Sequence, residues 1–356
     1  MKVFLISNMY PSIETPYYGV FVENSEKKLT KLGVEFTAKS LIKGLERNTI
    51  KKAIKYLKYL VSICFNLIRS SGFEIIYLHY NAIAVKVLII FLRFNKNKKI
   101  IINFHGGDVI DVKGQLRKTP NKILLLSDLI IVPSEFFKNI LTENFKVNAS
   151  KIFVSASGGI DVNNFKPFEV EEKEELLTLG FFSRVTQGKG WQVFLDALNG
   201  LKERKIRFRA IMIGGGTDHN LLKEKLKFLD IEDSVEVVGA ISHTKLPFYL
   251  NQLHINVFPT LLHESLGLVG LEAMACGCPV IGSNIGGLKT YISHGVNGYL
   301  FETNNSLDLV NKILLYIDLS EVKKQKMSYE AIKTAKQFCS EKTALDLFNQ
   351  IKTLKN

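Results

Sequence analysis

No apolar run in this sequence approaches the length of a membrane-spanning helix. The longest, 82–92 and 123–132, are interrupted by Lys86 and Asp128, whereas crossing a bilayer takes roughly 20 apolar residues. The four cysteines, Cys64, Cys276, Cys278 and Cys339, lack metal-ligand spacing, so a reduced cytosolic protein is expected, not a disulfide scaffold. There are only eight prolines and no low-complexity tract. With 46% apolar and 23% charged residues, fibrous and disordered classes are excluded. The opening MKVFLISNMYPS has one lysine and too short an apolar run for a secretory signal, and it reads as a buried first strand.

Acid is scarce in one half of the chain. Through Phe168 there are 25 Lys and Arg against 12 Asp and Glu, and beyond it 22 against 22, so the net charge of +13 resides in the first half. Residues 51–99 carry ten basic side chains and a single acid, Glu74. Such a half suits an anionic partner, whether nucleic acid, lipid headgroups or a phosphate-bearing substrate, unless it is merely a well-solvated surface.

At 356 residues the chain is too long for one ordinary core and is expected to make two domains. Strand-like runs at 3–7, 34–38, 74–79, 100–104, 129–132 and 152–155 alternate with helix-like segments at 20–32, 50–69, 82–94 and 134–144. Nearly continuous hydrophobicity predicts strands covered on both faces in a parallel sheet. A linker-like stretch at 163–175 precedes a second series, with strands at 176–180, 207–213, 235–238, 255–258 and 279–282. Helices are expected at 191–203, 219–229, 246–251 and 268–275, and from Ser306 to the end. The expectation is α/β, two Rossmann-like domains facing each other across a cleft, divided as 1–165 and 166–356 with the last helix able to pack back on the first. Ligands of such sheets bind outside the C-terminal strand ends.

The segment 258–282, FPTLLHESLGLVGLEAMACGCPVIG, is the richest in chemistry. Glu264 lies in a loop and Glu272 inside the following helix, about 12 Å away if all eight steps were helical. The first-turn amides of Gly267, Leu268 and Val269 would lie between the carboxylates and offer an anion site. A nucleotide-sugar suits this pattern, with hydroxyls at each carboxylate and the pyrophosphate at the helix end. Glu272 stands alone in an apolar run, so hydroxyl or amide donors are expected beside it.

Glu-x7-Glu followed by Ala-Met-Ala-x-Gly-x-Pro-Val resembles the retaining GT-B glycosyltransferases of family 4. Arg184 and Lys189 in FFSRVTQGKGW, set 80 residues before Glu264, match the family's Arg-x4-Lys pair on the donor diphosphate. His105 in NFHGGDV matches a histidine that reaches the donor sugar near its reactive carbon. Asp108 either contacts ligand or supports that loop. Gly19 stands in the loop that brings backbone amides to phosphate or acceptor, although many relatives have two adjacent glycines where this chain has Tyr18-Gly19-Val20.

What the resemblance implies is transfer of a sugar from a UDP- or GDP-sugar to an acceptor hydroxyl. Glu264 and His105 serve the reaction, while Arg184, Lys189, Glu272, Gly267, Leu268, Val269 and Gly19 hold the donor. Without an Asp-x-Asp, no metal or other cofactor is expected. Gly214-Gly215-Gly216 lacks dinucleotide-fingerprint spacing, which argues against NAD, and His79, His243, His263 and His294 show no metal-like pairing.

The expected acceptor is a lipid-linked or other oligosaccharide of surface polysaccharide synthesis. The expected place is the inner face of the cell membrane, with Lys51, Lys52, Lys55, Lys58 and Arg69 beside Leu57, Leu60, Ile63, Phe65 and Ile68 forming a docking segment that Lys96, Lys98 and Lys99 could extend. A sugar phosphorylase or a sugar-nucleotide epimerase could share the frame. Nucleic-acid binding is disfavoured because no known module is present.

Overall fold

Short β-rich runs bounded by glycine and polar turns build two six-stranded sheets, each wholly parallel. The computed structural model describes residues 1–15, 18–46, 48–93, 97–111, 115–117, 121–156, 158–168 and 176–354. The chain forms two units, Met1–Gly159 with Ser340–Asn356, and Ile160–Cys339. Of the linker-like stretch, 169–175 lies outside the described residues, as does Lys96.

In the first unit the chain runs β1 (Lys2–Tyr10), α1 (Val20–Lys31), β2 (Glu35–Lys43), α2 (Thr49–Ile68), β3 (Ile75–His79), α3 (Ala82–Phe91), β4 (Lys99–Asn103), α4 (Asn121–Leu126), β5 (Leu129–Val132), α5 (Glu135–Phe145) and β6 (Ile152–Val154). The strand order is β2-β1-β3-β4-β5-β6. The second unit contains β7 (Leu177–Phe182), α6 (Trp191–Glu203), β8 (Phe208–Ile213), α7 (His219–Leu229), β9 (Val235–Gly239), α8 (Leu246–Leu250), β10 (Ile255–Phe258), α9 (Leu268–Ala275), β11 (Val280–Ser283), β12 (Gly298–Phe301), α10 (Ser306–Ile317) and α11 (Glu321–Gln337). Its order is β12-β11-β10-β7-β8-β9. A last helix, α12 (Ser340–Thr353), belongs to the first unit.

Alternation along each strand divides the first sheet's side chains between two covers. Phe4, Ile6, Ile76 and Ile102 pack with Ile63 of α2, Leu88 of α3 and Leu141 of α5. Val3, Leu5, Ile75 and Ile101 pack with Leu29 of α1 and with Leu347 and Ile351 of α12. The returning helix therefore completes a face that α1 alone leaves open. Strand order reverses between β1 and β3 in one sheet and between β7 and β10 in the other, and these reversals are where crevices for ligands open.

Several expectations need correction. β2 is an edge strand with alternating, half-exposed residues instead of a doubly covered one. The helical stretch expected from Ser306 on is three helices, and β12 and α4 were not foreseen. On α2, Ile63 is fully buried with Tyr59 and Leu67, and Leu60 is half-buried, so neither belongs to an outer face. Lys55 pairs with Glu46, Lys99 pairs with Asp128, and Lys98 donates to the Phe73 carbonyl. No helix among the described residues is long and apolar enough to cross a membrane.

Candidate active site

In the second unit, the reversal between β7 and β10 sets the loops 183–190 and 259–267 side by side. Leu261 N–H donates to the Gly188 carbonyl at 2.8 Å, stapling one loop to the other. The staple brings Lys189 Nζ to 2.6 Å from Glu264 Oε1, and the Thr260 hydroxyl donates to the same oxygen at 3.0 Å. Both partners of the ion pair are mostly enclosed. Arg184, on the same loop, is exposed and has no ion-pair partner among the described residues.

The loop bearing Arg184 is itself held by the glycine run after β8. A Cβ on Gly214 would lie 1.9 Å from the Ser183 carbonyl oxygen, and one on Gly216 would lie 2.0 Å from that of Val185. Backbone meets backbone there, a contact only glycine permits.

α9 is capped by Gly267, whose φ of 85° is left-handed. The buried Tyr291 hydroxyl donates to the Gly267 carbonyl at 3.1 Å. Burial, then the charges of Glu264 and Glu272, hold that phenol well above its ordinary range. The amides of Leu268 and Val269 open the helix and have no acceptor one turn back within it. One turn on, Glu272 is 5% exposed. Its donor is not the hydroxyl or amide expected but the imidazole of His243, with Nε2 2.8 Å from Oε1. His243 packs on the Phe165 ring at 5.0 Å. The hydrogen bond to Glu272 raises the His243 pKa above its ordinary 6.5, opposed by burial and assisted by the charges of Glu272 and Asp161.

The first unit holds a cluster of its own. Gly19 caps α1 at φ 73°, and a Cβ there would lie 2.5 Å from the Met9 carbonyl carbon. His105 follows β4, and its ring nitrogen Nε2 is 2.9 Å from Nδ1 of His79, which ends β3. Burial lowers both imidazoles, His105 to about 4 and His79 well below 6.5. At neutral pH both are uncharged, and one ring N–H donates to the other ring's lone pair. Phe21 packs on His105 with centroids 4.6 Å apart. Asp108 accepts from the His105 backbone N–H at 2.9 Å, and burial pushes its carboxyl up to about 6. It thus supports the loop. The structure leaves room at Gly107, where a Cβ would meet nothing.

Lys189, Glu264 and the start of α9 are therefore brought together in one unit, with Glu272 one turn on, while Gly19, His105 and Asp108 lie in the other. Sequence reasoning missed His243, His79, Tyr291 and Thr260. The available signal was position, because His79 ends β3 and His243 lies in the loop four residues beyond the C-terminal end of β9. Among the described residues no group of three or more His, Cys, Asp or Glu could hold a metal ion. Cys276 and Cys278 are buried at the end of α9, and burial pushes the Cys276 thiol up to about 12, as suits packing and not reactivity.

Residues 162–334 match the family model for glycosyl transferases group 1. A glycosyltransferase of Methanocaldococcus jannaschii is 29% identical over 340 residues, which are 89% of this chain and 90% of that one. The amylovoran biosynthesis glycosyltransferase AmsK of Erwinia amylovora is 27% identical over 216 residues, 59% of this chain and 52% of its own. Among solved structures, HepE of Anabaena in complex with UDP matches with a TM-score of 0.76 at 18% identity, covering 99% of this chain and 100% of that one. That likeness shows the fold.

Proposed function

We propose that this chain, a glycosyltransferase of the GT-B fold whose residues 162–334 belong to the glycosyl transferases group 1, moves a sugar from a UDP- or GDP-sugar to an acceptor hydroxyl with retention of configuration, as in family 4. The observation that carries this reading is the Lys189–Glu264 contact at 2.6 Å, at the strand reversal of the second sheet. A cation suited to a diphosphate and a carboxylate suited to a sugar hydroxyl stand one hydrogen bond apart.

In this reading Arg184, Lys189 and the amides of Gly267, Leu268 and Val269 take the diphosphate, Glu272 takes the ribose hydroxyls, and Glu264 orients the donor sugar. His105 serves the donor sugar, Asp108 holds its loop, and the Gly19 loop offers backbone amides. The acceptor oxygen bonds to the anomeric carbon as that carbon's bond to the phosphate oxygen breaks, and the hydroxyl proton passes to the departing phosphate. Charge growing on the leaving group is stabilised by Arg184, Lys189 and the helix end. These groups need no metal, so turnover is expected to survive excess EDTA.

HepE, which shares the fold, was solved with UDP, and UDP is the first nucleotide to test. The acceptor class we favour is a lipid-linked oligosaccharide of surface polysaccharide synthesis, used at the inner membrane face. AmsK of amylovoran biosynthesis is a relative in keeping with it. Titration calorimetry with UDP and GDP is expected to give a Kd between about 1 μM and 1 mM for one of them. Binding of neither would overturn the reading, and donor cleavage that needs inorganic phosphate instead of an acceptor would indicate a phosphorylase.

The His243–Glu272 contact gives the nucleotide a pH dependence of definite sign. With a raised folded pKa, the pair stabilises the fold fully below about pH 6.5 and loses that contribution as pH rises through the raised value. A ribose that takes Glu272 displaces His243, so nucleotide binding is expected to release a proton and to tighten as pH rises through that range. His243→Gln should flatten the slope relative to the parent, leaving only the titration of the nucleotide's own phosphate. Glu272→Ala should weaken nucleotide binding by about 10–100-fold, the worth of a charged hydrogen bond. Calorimetry in buffers of different ionisation enthalpy measures the proton, and equal slopes in parent and variant would exclude the displacement.

A further inference from the structure

α2 carries two apolar stripes, and only one of them faces the core. Tyr59, Ile63 and Leu67 are buried. Ile50, Ile54, Leu57, Val61, Phe65 and Ile68 are all at least 48% exposed. At 3.6 residues per turn the outer six fall within an arc of about 80°, and Lys51, Lys58 and Arg69 border one side of it. α2 contains no acidic residue. Lys51, Lys52, Lys58 and Arg69 have no acidic partner among the described residues. Its neighbour α3 adds exposed Ile83 and Ile90, with exposed Lys86 between them. An exposed apolar row that is long, continuous and edged by one sign of charge is foreign to a solvated surface.

We infer that this face of α2, with the outer edge of α3, docks on an anionic lipid bilayer, seating its six large apolar side chains below the headgroups while Lys51, Lys58, Lys86 and Arg69 meet lipid phosphates. A helix lying in the interface has this pattern of a wide apolar arc beside a basic edge. Charge complementarity selects the occupant. A second copy would bring the same basic edge against itself, whereas an anionic leaflet attracts every one of these cations. The proposal names the surface through which the membrane location proposed above is reached. It does not depend on the donor chemistry.

Cys64 provides the probe. It is exposed, one turn before Ile68 and beside Phe65 on α2, whereas Cys276 and Cys278 are buried. In the full chain carrying Cys339→Ser, an environment-sensitive fluorophore on Cys64 should shift to the blue with phosphatidylcholine–phosphatidylglycerol vesicles and much less with phosphatidylcholine alone. Unlabelled parent protein should co-sediment with the same preference. Lys51→Glu, Lys52→Glu and Lys58→Glu combined should lower the partition coefficient by at least about a hundredfold. Leu57→Asp with Val61→Asp should abolish the shift while leaving the thermal midpoint in place, because both side chains are already exposed.

Equal partition into neutral and anionic vesicles, or no shift at low salt, would overturn the proposal. So would a concentration-dependent dimer that Leu57→Asp and Val61→Asp abolish in the absence of vesicle binding, which would assign the face to a second copy. UDP and GDP calorimetry on the same parent protein reports separately on the glycosyltransferase reading.

Discussion

Lys189→Ala is expected to lower kcat/KM by about 10²–10³-fold, the usual loss when a group that stabilises developing charge is removed. Lys189 has two duties whose effects can be separated. In the free protein its ammonium neutralises Glu264, and both groups are largely withdrawn from water. Removing the cation leaves that carboxylate with the Thr260 hydroxyl as its remaining side-chain donor, at a stability cost of about 1–3 kcal/mol after discounting for the part still exposed. With donor bound, the same ammonium faces the diphosphate.

Glu264→Gln added to Lys189→Ala removes the stranded charge, so the double variant should recover the thermal midpoint without recovering turnover. Lys189→Arg should also fail to restore the rate, since a planar guanidinium cannot occupy the site of a compact ammonium. A single variant working within a factor of about three of the parent would remove Lys189 from the chemistry.

That Lys189 and Glu264 stand together was only half legible in the sequence. The sheet order explains why. Spacing suggested a strand before each loop, and both strands exist as β7 and β10. Their adjacency, however, is a property of topology, since β8 and β9 pair on one side of β7 and β10 returns to the other. The limits of Trp191–Glu203 and His219–Leu229 were readable from their hydrophobic period and from the Gly190, Asp218 and Asp230 that flank them, and those of Leu268–Ala275 from Gly267 before it and Gly277 after it. β12 was missed because its four residues follow Asn297 and begin at Gly298, a pair that signals a turn. α2 was read as a helix, yet its inner and outer faces could not be told apart, since leucine and isoleucine occupy both.

The histidine partners were invisible for a related reason. His79 and His105 are 26 residues apart and meet through register: His79 pairs with Asn103 across β3 and β4, which puts His105 two residues beyond the end of the ladder. Neither composition nor spacing carries register. His243 reaches Glu272 across 29 residues because the loop after β9 folds against the body of α9. A lone carboxylate in an apolar run announced that a donor must exist, but not which one.

Gly190→Ala is expected to be the most damaging single-methyl change in the second unit. Gly190 caps α6 with φ 78°, a conformation that costs an ordinary residue about 1–2 kcal/mol. A Cβ built there would lie 1.7 Å from the Pro259 carbonyl oxygen. That atom is backbone, so it cannot swing aside as a side chain can, and overpacking of this kind adds about 1–3 kcal/mol. The two costs together lower the melting transition of the second unit, at about 2–4 °C per kcal/mol for a unit of this size.

Function should fall further than stability. The clash lies where loop 183–190 crosses the loop after β10, and separating them pulls Lys189 away from Glu264; a displacement of about 1 Å in such a site costs about a hundredfold in rate. Gly188→Ala should be milder in packing, because its neighbour is the flexible Leu262 side chain at 2.9 Å. Gly107→Ala, with nothing within 4 Å of its Cβ, should leave the melting curve unchanged within about 0.5 kcal/mol. Differential scanning calorimetry of the three variants orders them, and a parental melting curve for Gly190→Ala would mean that the two loops do not cross as closely as this.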